Sequence, residues 1–230
     1  MNTLIQWCHI TNKFIKKNEN RESTHLLLNG GCLDLSENYD TFLKLYSETI
    51  LNNKLYIVEK RTNVFKLFMD LDFIDSEKIL IEDIVKEIQS IIKNFYTGEF
   101  VCVVCSTKNK VVTKQGKNFL KQGFHLHWPG INITSGTAKQ IRTSVIIKLK
   151  TLYGKPISSY NTWENIIDES VYNTNGLRLC GSSKGHYDNG VFIDEGRPYY
   201  PIFVMKHSGE LDSEEFEKMS ETHYMVQKCS

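Results

Sequence analysis

The sequence has neither a long apolar segment nor an excess of charge of one sign. Lysine and arginine together number 28 against 27 aspartates and glutamates, which leaves a formal net charge of +1. This balance excludes a protein that binds nucleic acid through its overall charge, so any basic site must be local. No apolar run approaches the roughly 20 residues that a membrane-spanning helix needs, so we expect no membrane partner.

Cysteine is sparse as well, and its spacing matches neither a disulfide scaffold nor a zinc finger. One CxxC pair, Cys102 and Cys105, lies within an apolar run, and no second Cys or His pair follows at zinc spacing, so we interpret both as core residues. The N-terminal segment lacks the basic stretch and apolar core of a secretory signal. We therefore expect a soluble intracellular protein with reduced thiols. The six cysteines are Cys8, Cys32, Cys102, Cys105, Cys180 and Cys229.

One apolar segment carries two acidic residues. The stretch VFKLFMDLDF (64–73) has the composition of a buried strand, yet it contains Asp70 and Asp72 near its end. Residues two apart on a strand point to the same face, so the two carboxylates are side by side. Such a pair repels itself unless a cation lies between the carboxylates, and Mg²⁺ and Mn²⁺ prefer oxygen ligands. The alternative is that the two aspartates only end a strand and begin a turn, and the motif alone leaves both interpretations open.

The order of predicted elements defines a fold class. From residue 64 to residue 182 the order is strand, helix, strand, strand, helix, strand, which is the RRM-like or ferredoxin-like βαββαβ arrangement of an α+β protein. The segment 106–122 is polar and rich in lysine, and it is expected to be a loop that either is solvated or contacts a nucleic-acid backbone. The predicted strands are 54–60, 64–73, 99–105, 123–130, 176–182 and 197–206, and the predicted helices are about 37–52 (capped by Ser36), 80–96 and 134–152 (capped by Thr134 or Ser135).

This fold brings distant polar residues together. The strands at 54–60 and 64–73 are expected to form a hairpin. In a ferredoxin-like sheet the first strand lies between the third and the fourth and is antiparallel to both. Its acidic end therefore meets the start of the third strand, which carries His125, and the approach to the fourth, which carries Asp168. Arg178 lies on the fourth strand itself, so we expect carboxylates, imidazole and guanidinium to converge at one end of one sheet face.

The turn after the fourth strand is rich in groups that bind phosphate. The stretch LRLCGSSKGH places Arg178, Ser182 and Lys184 around two glycines, a composition that could form a nest for a triphosphate. It is not a Walker A loop, because GxxxxGK[ST] is absent, and the alternative is a glycine turn with solvated basic residues. A third carboxylate, from Asp168 or Glu169, would allow two metal ions at a phosphoryl-transfer centre.

Taken together, these segments resemble the archaeo-eukaryotic primase superfamily, and most closely the primase modules of large DNA viruses. The matching pieces are FMDLDF, CSTKNK…KQGFHLHWPG and IIDESVYNTNGLRLCGSSKG, in that order, within roughly 60–205. The resemblance implies a primase catalytic domain at 1–206, in which an N-terminal α/β unit (1–60) packs against an RRM-like catalytic unit (61–206). Residues 207–230 are then a tail or a linker.

The resemblance also implies roles for individual residues. It implies that Asp70, Asp72 and Asp168 are catalytic and bind Mg²⁺ or Mn²⁺. It further implies three partners: a single-stranded DNA template, NTP or dNTP, and a helicase that is fused on the C-terminal side or acts in trans. The location it implies is the host cytoplasm or a viral factory. The expected nucleotide-binding residues are Ser106, His125, Arg178, Ser182 and Lys184.

The sequence therefore predicts a DNA primase or primase-polymerase, which would join nucleotides on single-stranded DNA by two-metal-ion nucleotidyl transfer. One alternative is a nucleotide-sugar glycosyltransferase, because such enzymes also use an apolar strand and DxD for Mn²⁺ and a diphosphate. The other is a non-catalytic module that binds single-stranded DNA or a replication origin on the same scaffold.

Overall fold

A computed structural model of the chain describes residues 3–16, 19, 21–156, 159–173 and 175–230. The helices of this part are α1 (Thr3–Ile10), α2 (Tyr39–Ile50), α3 (Ile81–Ile92), α4 (Ser135–Tyr153), α5 (Trp163–Ile166), α6 (Ser213–Lys218) and α7 (Thr222–Lys228), with a 3₁₀ turn at Ser170–Tyr172. Its strands are β1 (Phe14–Ile15), β2 (His25–Leu27), β3 (Cys32–Leu33), β4 (Ile57–Glu59), β5 (Phe65–Asp75), β6 (Val101–Ser106), β7 (Lys110–Lys114), β8 (Lys117–Ile133), β9 (Leu177–Arg178), β10 (Lys184–Asp188), β11 (Val191–Gly196) and β12 (Tyr200–Lys206).

Most of these strands belong to one of two sheets. The central sheet has the order β12-β6-β8-β5, and β7 pairs with the first residues of β8. The N-terminal sheet has the order β1-β3-β2-β4-β9, and β10 and β11 form a separate hairpin. This mixed architecture confirms the predicted α+β class. No helix within the described ranges is long and apolar enough to cross a membrane.

Strand β5 forms because apolar and polar residues alternate along it. Leu67, Met69 and Leu71 are fully buried against α3 and α4, in the larger of two apolar cores. Each such side chain stabilises the fold by about 1.5–3 kcal/mol relative to leaving it exposed. Asp70 and Asp72 fall on the opposite face, as the alternation predicts.

The second core lies on that opposite face of the central sheet. It joins Cys105 of β6 to Phe42 and Tyr46 of α2, and to Met225 and Val226 of α7. Residues 207–230 therefore fold into two helices, and α7 packs against α2. The central sheet is a middle layer, with α3 and α4 on one side and the N-terminal unit and the C-terminal helices on the other.

The expected hairpin of residues 54–60 with β5 is wrong. Strand β4 pairs with β2 and β9 in the N-terminal sheet, whereas β5 pairs with β8 in the central sheet. Ile57 and Val58 are buried on both faces of β4, so this strand is favoured inside a sheet and not at its edge. Alternation identified both strands, but it does not determine which strands pair.

The expected fourth strand of the central sheet also lies elsewhere, because β9 joins the N-terminal sheet beside β4. The place next to β5 is taken by the segment 159–168, whose Tyr160 N donates to Ile74 O at 2.6 Å and whose Asp168 N donates to Asp70 O at 3.0 Å. Gly176 turns the chain towards β4 in a left-handed conformation (φ +65°) that favours glycine.

The lysine-rich segment 106–122, expected as a loop, folds largely into a β-hairpin. Gln115 and Gly116, with φ of 51° and 75°, form the two-residue turn between β7 and β8. Strand β8 then continues past Pro129 through a β-bulge opposite Lys66/Leu67, so the expected end of the strand there is wrong. Thr134 caps α4 as predicted, because its side chain accepts from Thr137 N.

The start of α2 differs from the expected cap at Ser36. The helix begins at Tyr39 after Asn38, which adopts a left-handed conformation and makes no side-chain capping bond. Ser36 instead bonds the Asp34 carboxylate through its backbone N–H and its hydroxyl, at 3.1 and 2.6 Å. A local polar turn therefore competes with the cap for this hydroxyl.

Candidate active site

A cleft of about 270 Å³ lies between the central and N-terminal sheets. The acidic half of β5 and the middle of β8 form one wall, and β9 and the start of β10 form the other. The structure brings six of the eight predicted site residues to this cleft. They are Asp70, Asp72, His125, Asp168, Arg178 and Lys184.

Backbone pairing holds the three acidic residues close together in the cleft. Asp70 and Asp72 project from β5 on one face, and the Asp168 backbone is bonded directly to that of Asp70. The Asp168 carboxylate is oriented by Ser170, which donates its backbone N–H at 2.8 Å and its hydroxyl at 2.7 Å. The segment that carries Asp168, predicted to lie on the approach to the fourth strand, takes the place beside β5 that was expected for that strand.

Asp70 lies in an electrostatically unfavourable environment. Its Oδ1 atom is buried and has no hydrogen-bond partner among the described residues. Burial raises the Asp70 pKa to about 8, and repulsion from Asp72 and Asp168 adds to the effect, while Arg178 and Lys121 oppose it. The unpartnered oxygen therefore marks a place where a cation would remove an electrostatic cost.

Asp72 has a cationic partner that the sequence reasoning missed. Lys121 of β8 places its Nζ 2.7 Å from the Asp72 Oδ2. The contact forms because β8 begins at Lys117, inside the lysine-rich segment. That segment was expected to be a loop, so the contact was not predicted. The available signal was the short turn Gln115–Gly116, with Val111 and Val112 before it and Phe119 and Leu120 after it.

His125 faces Asp70 across the β5–β8 pair, with its Nε2 at 3.7 Å from the Asp70 Oδ1. Its ring stacks on Tyr199, with centroids 3.5 Å apart and planes 16° from parallel. Burial lowers the His125 pKa well below its usual range, so the imidazole is neutral near pH 7. Its Nδ1 is buried without a partner in the described part of the chain.

Tyr199 was not predicted from the sequence, yet it connects the two walls of the cleft. The Arg178 guanidinium also lies over the Tyr199 ring, 4.8 Å from its centroid. Gly123 makes room for the ring, because a Cβ there would lie 2.3 Å from the Tyr199 hydroxyl. An aromatic residue in the apolar run 197–206 gave no sign of this role.

The opposite wall is basic. Arg178 donates to the backbone carbonyls of Ser182 and Arg197, at 3.3 and 3.1 Å, which fixes its guanidinium. Lys184 lies 3.7 Å from Glu195, and burial lowers the pKa of both Arg178 and Lys184. Partly desolvated cations of this kind bind phosphate more strongly than solvated ones.

Two predicted nucleotide-binding residues do not reach the cleft. Ser182 is fully buried, and its hydroxyl donates to Leu55 O at 3.0 Å and accepts from Ile57 N at 2.5 Å, so it supports β4. Ser106 pairs with Phe124 in the central sheet and therefore faces away from His125, by strand alternation.

This α+β fold, with acidic and basic walls facing each other across one cleft, fits the class of protein that the sequence resembles, the archaeo-eukaryotic primases (AEP). A family model described as the C962R protein N-terminal AEP domain matches residues 24–193, about three quarters of the chain. The chain belongs to this family, and the predicted resemblance to viral primase modules is confirmed. No curated protein matched the chain.

Proposed function

We propose that this chain is a primase-polymerase that joins nucleotides on a single-stranded DNA template. The observation that carries the proposal is the cluster of Asp70, Asp72 and Asp168, with its unpartnered buried oxygen, opposite a basic wall. Membership of the AEP family supports it. A cleft with this charge distribution suits a triphosphate and its associated cations.

The three carboxylates fit Mg²⁺ or Mn²⁺. All their donor atoms are oxygens, which hard divalent ions prefer, and the Asp70 Oδ1 lacks any other partner among the described residues. When bound, such ions lower the pKa of an attacking hydroxyl and stabilise the leaving pyrophosphate.

The protein side chains hold and orient the nucleotide. Arg178 and Lys184 offset the charge of the triphosphate from one wall. His125 lines the same cleft, and its stacking on Tyr199 fixes the ring for contact with the triphosphate. Because both His125 and Arg178 contact the Tyr199 ring, a single aromatic side chain sets the spacing of the two phosphate-binding groups.

The β7–β8 hairpin fits the backbone of a nucleic acid. Lys114 and Lys117 oppose each other in register next to its turn, and neither forms an ion pair with a described residue. Lys110 and Lys121 also oppose each other, but Glu195 and Asp72 already offset their charges. A pair of like charges such as Lys114 and Lys117 is destabilising unless an anion lies near it. We infer that the hairpin contacts phosphates of the template.

We also propose a helicase, fused to this chain or acting in trans, as the source of single strands. ATP-driven unwinding needs a Walker A loop, GxxxxGK[ST], which this sequence lacks.

Primer synthesis by the purified chain tests the proposal. The reaction contains single-stranded DNA, labelled NTP or dNTP, and Mg²⁺ or Mn²⁺, with and without a primer. We expect incorporation by the wild-type chain, and a loss of about 10²–10³-fold in Asp70→Asn and Asp72→Asn. Asp83→Asn, an exposed carboxylate on α3 behind the sheet, is the matched control and should keep full activity.

Three outcomes would contradict the proposal. Full incorporation by Asp70→Asn would show that the cluster is not catalytic. Equal DNA binding with and without divalent ions, together with no incorporation, would indicate a binding module. Hydrolysis of nucleotide sugars in a parallel assay would indicate a glycosyltransferase.

A further inference from the structure

Three cysteine thiols lie close together in the second core, outside the carboxylate cleft. Cys105 belongs to β6, Cys180 to the turn after β9, and Cys229 to the residue after α7. All three are buried, and their sulfur atoms lie within 4.8 Å of one another. They come from three separate segments of the chain, so folding alone assembles the cluster.

The sulfur spacing matches that of a metal–thiolate site. In a tetrahedral zinc site with Zn–S bonds of about 2.3 Å, neighbouring sulfurs lie about 3.8 Å apart. The Cys105 and Cys229 sulfurs are 3.8 Å apart, which is one edge of such a tetrahedron. A disulfide would need this distance to shrink to about 2.05 Å.

A buried histidine beside the cluster lacks a partner of its own. His127 is 7% exposed, and its Nε2 atom has no hydrogen-bond partner among the described residues. By strand alternation it projects from β8 on the same face as Cys105 of the neighbouring β6. It also lines, together with Cys229, a cavity of about 200 Å³. Its ring nitrogens lie outside the 4.8 Å that encloses the three sulfurs, so a shift of the ring would be needed to make His127 the fourth ligand.

We propose that Cys105, Cys180 and Cys229 bind one Zn²⁺, with His127 as the fourth ligand after a shift of its ring. Binding forms three Zn–S bonds and releases the three thiol protons to solvent. Cys180 then stops donating to Tyr199 O, which keeps a bond from Gly181 N at 2.9 Å. Such a site would connect β6 and the C-terminal helices to the turn that follows Arg178.

Cobalt and zinc binding by the full chain test this site independently of catalysis. The chain is purified under reducing conditions, and its zinc content is measured by mass spectrometry. Metal-free chain is then titrated with Co²⁺, for which thiolate ligands give a near-ultraviolet charge-transfer band. We expect one zinc per chain and a saturable band at one equivalent of Co²⁺.

Variants assign the ligands. Because loss of an outer-shell partner alone weakens metal binding about 10–100-fold, loss of a ligand in Cys180→Ala or Cys229→Ala should weaken it more than about 100-fold. Cys8→Ala is the matched control, since Cys8 is buried in the same core but lies outside the cluster. Asp70→Asn should keep its zinc even where it loses nucleotide incorporation, which separates this proposal from the proposed function.

Three results would overturn the zinc site. The first is a reduced wild-type chain without metal and without a cobalt charge-transfer band, which needs no variant to fold. The second is zinc content in Cys180→Ala and Cys229→Ala equal to that of the wild type. The third is a Cys105–Cys229 disulfide found by mass spectrometry in chain that binds no metal.

Discussion

At the scale of single residues, the cleft places charge where the fold alone does not favour it. Asp70 has an unpartnered buried oxygen and two acidic neighbours, Asp72 and Asp168. A protein keeps such a group at a cost in stability, and functional sites are where such costs concentrate. The metal-free chain should therefore be less stable than the same chain with its repulsion relieved.

Thermal unfolding of Asp70→Asn measures that cost. Without divalent ions the variant should unfold at a higher temperature than the wild type, because the amide is neutral at every pH. Asp70, in contrast, must either take up a proton in the folded chain or repel Asp72 and Asp168. Mn²⁺ at 100 times its Kd should stabilise the wild type by about 2.7 kcal/mol and the variant by much less. Asp83→Asn should respond to Mn²⁺ as the wild type does. A wild-type chain that Mn²⁺ leaves unchanged would contradict the prediction.

A second residue-scale prediction concerns the pH dependence of stability. His25 is 2% exposed between the rings of Tyr39 and Phe42, and burial lowers its pKa to about 3. The pKa of His25 in the unfolded chain is about 6.5. Below that pH the unfolded chain binds a proton at His25 that the folded chain does not bind. The contribution of His25 to stability is therefore complete above pH 6.5 and is lost as the pH falls towards 3.

The matching variant is His25→Phe. The slope of its unfolding free energy between pH 6 and pH 5 should be smaller than that of the wild type by about 1.4 kcal/mol per pH unit. The buried His125 and His127 are present in both proteins, so their contributions cancel. Exposed His9→Asn is the control. Identical slopes in wild type and His25→Phe would show that the unfolded and folded states bind this proton equally.

At the scale of secondary-structure elements, the β7–β8 hairpin is the element with the least explained charge. Lys114 and Lys117 face each other across its exposed turn. If the hairpin contacts two phosphates, replacing both lysines by alanine should weaken binding of single-stranded DNA and reduce its log–log salt slope by about 1.4. Fluorescence anisotropy at several salt concentrations measures this slope. Lys86→Ala/Lys93→Ala on and after α3 is the matched control, and an unchanged slope in the hairpin variant would contradict the assignment.

The junction of β4 and β9 gives a second element-scale prediction. A Cβ at Gly176 would lie 2.1 Å from the backbone oxygen of Glu59, and the residue also has a positive φ. Gly176→Ala should therefore destabilise the fold by more than the roughly 1–2 kcal/mol that a left-handed conformation costs. Gly190→Ala, with φ +82° and no described atom within 4 Å of its Cβ, should cost only that amount. Chemical denaturation compares the two, and equal costs would refute the role of the close contact.

These elements also show what the sequence could and could not predict. Alternation placed Asp70 and Asp72 on one face, and helical periodicity identified α3 and α4, because both signals are local. Strand partners are a tertiary property, so the pairing of β4 with β9 could not be predicted. For the same reason Ser182 looked like a phosphate ligand, although its hydroxyl is committed to the backbone of β4. The role of Tyr199 could not be predicted either, because it depends on the pairing of β12 with β6.

At the scale of the whole molecule, the central sheet is stabilised from both sides. One side is covered by α3 and α4, which the βαββαβ order predicts. The other is covered by the N-terminal unit and by residues 207–230, which close the second core. The cleft lies between the two sheets, so its geometry depends on this second core and not on the central sheet alone.

Removing residues 207–230 tests that dependence. The segment buries Met219, Met225 and Val226, each of which stabilises the fold by about 1.5–3 kcal/mol, so deletion should remove about 5–9 kcal/mol. That loss is comparable to the whole stability of a typical domain, about 5–15 kcal/mol. We expect chain 1–206 to be largely unfolded or insoluble at 25 °C in EDTA, by circular dichroism, whereas Phe216→Ala in the full chain, at a side chain 37% exposed, should unfold near the wild-type temperature. A truncated chain with the wild-type melting temperature would show instead that the segment is only a linker.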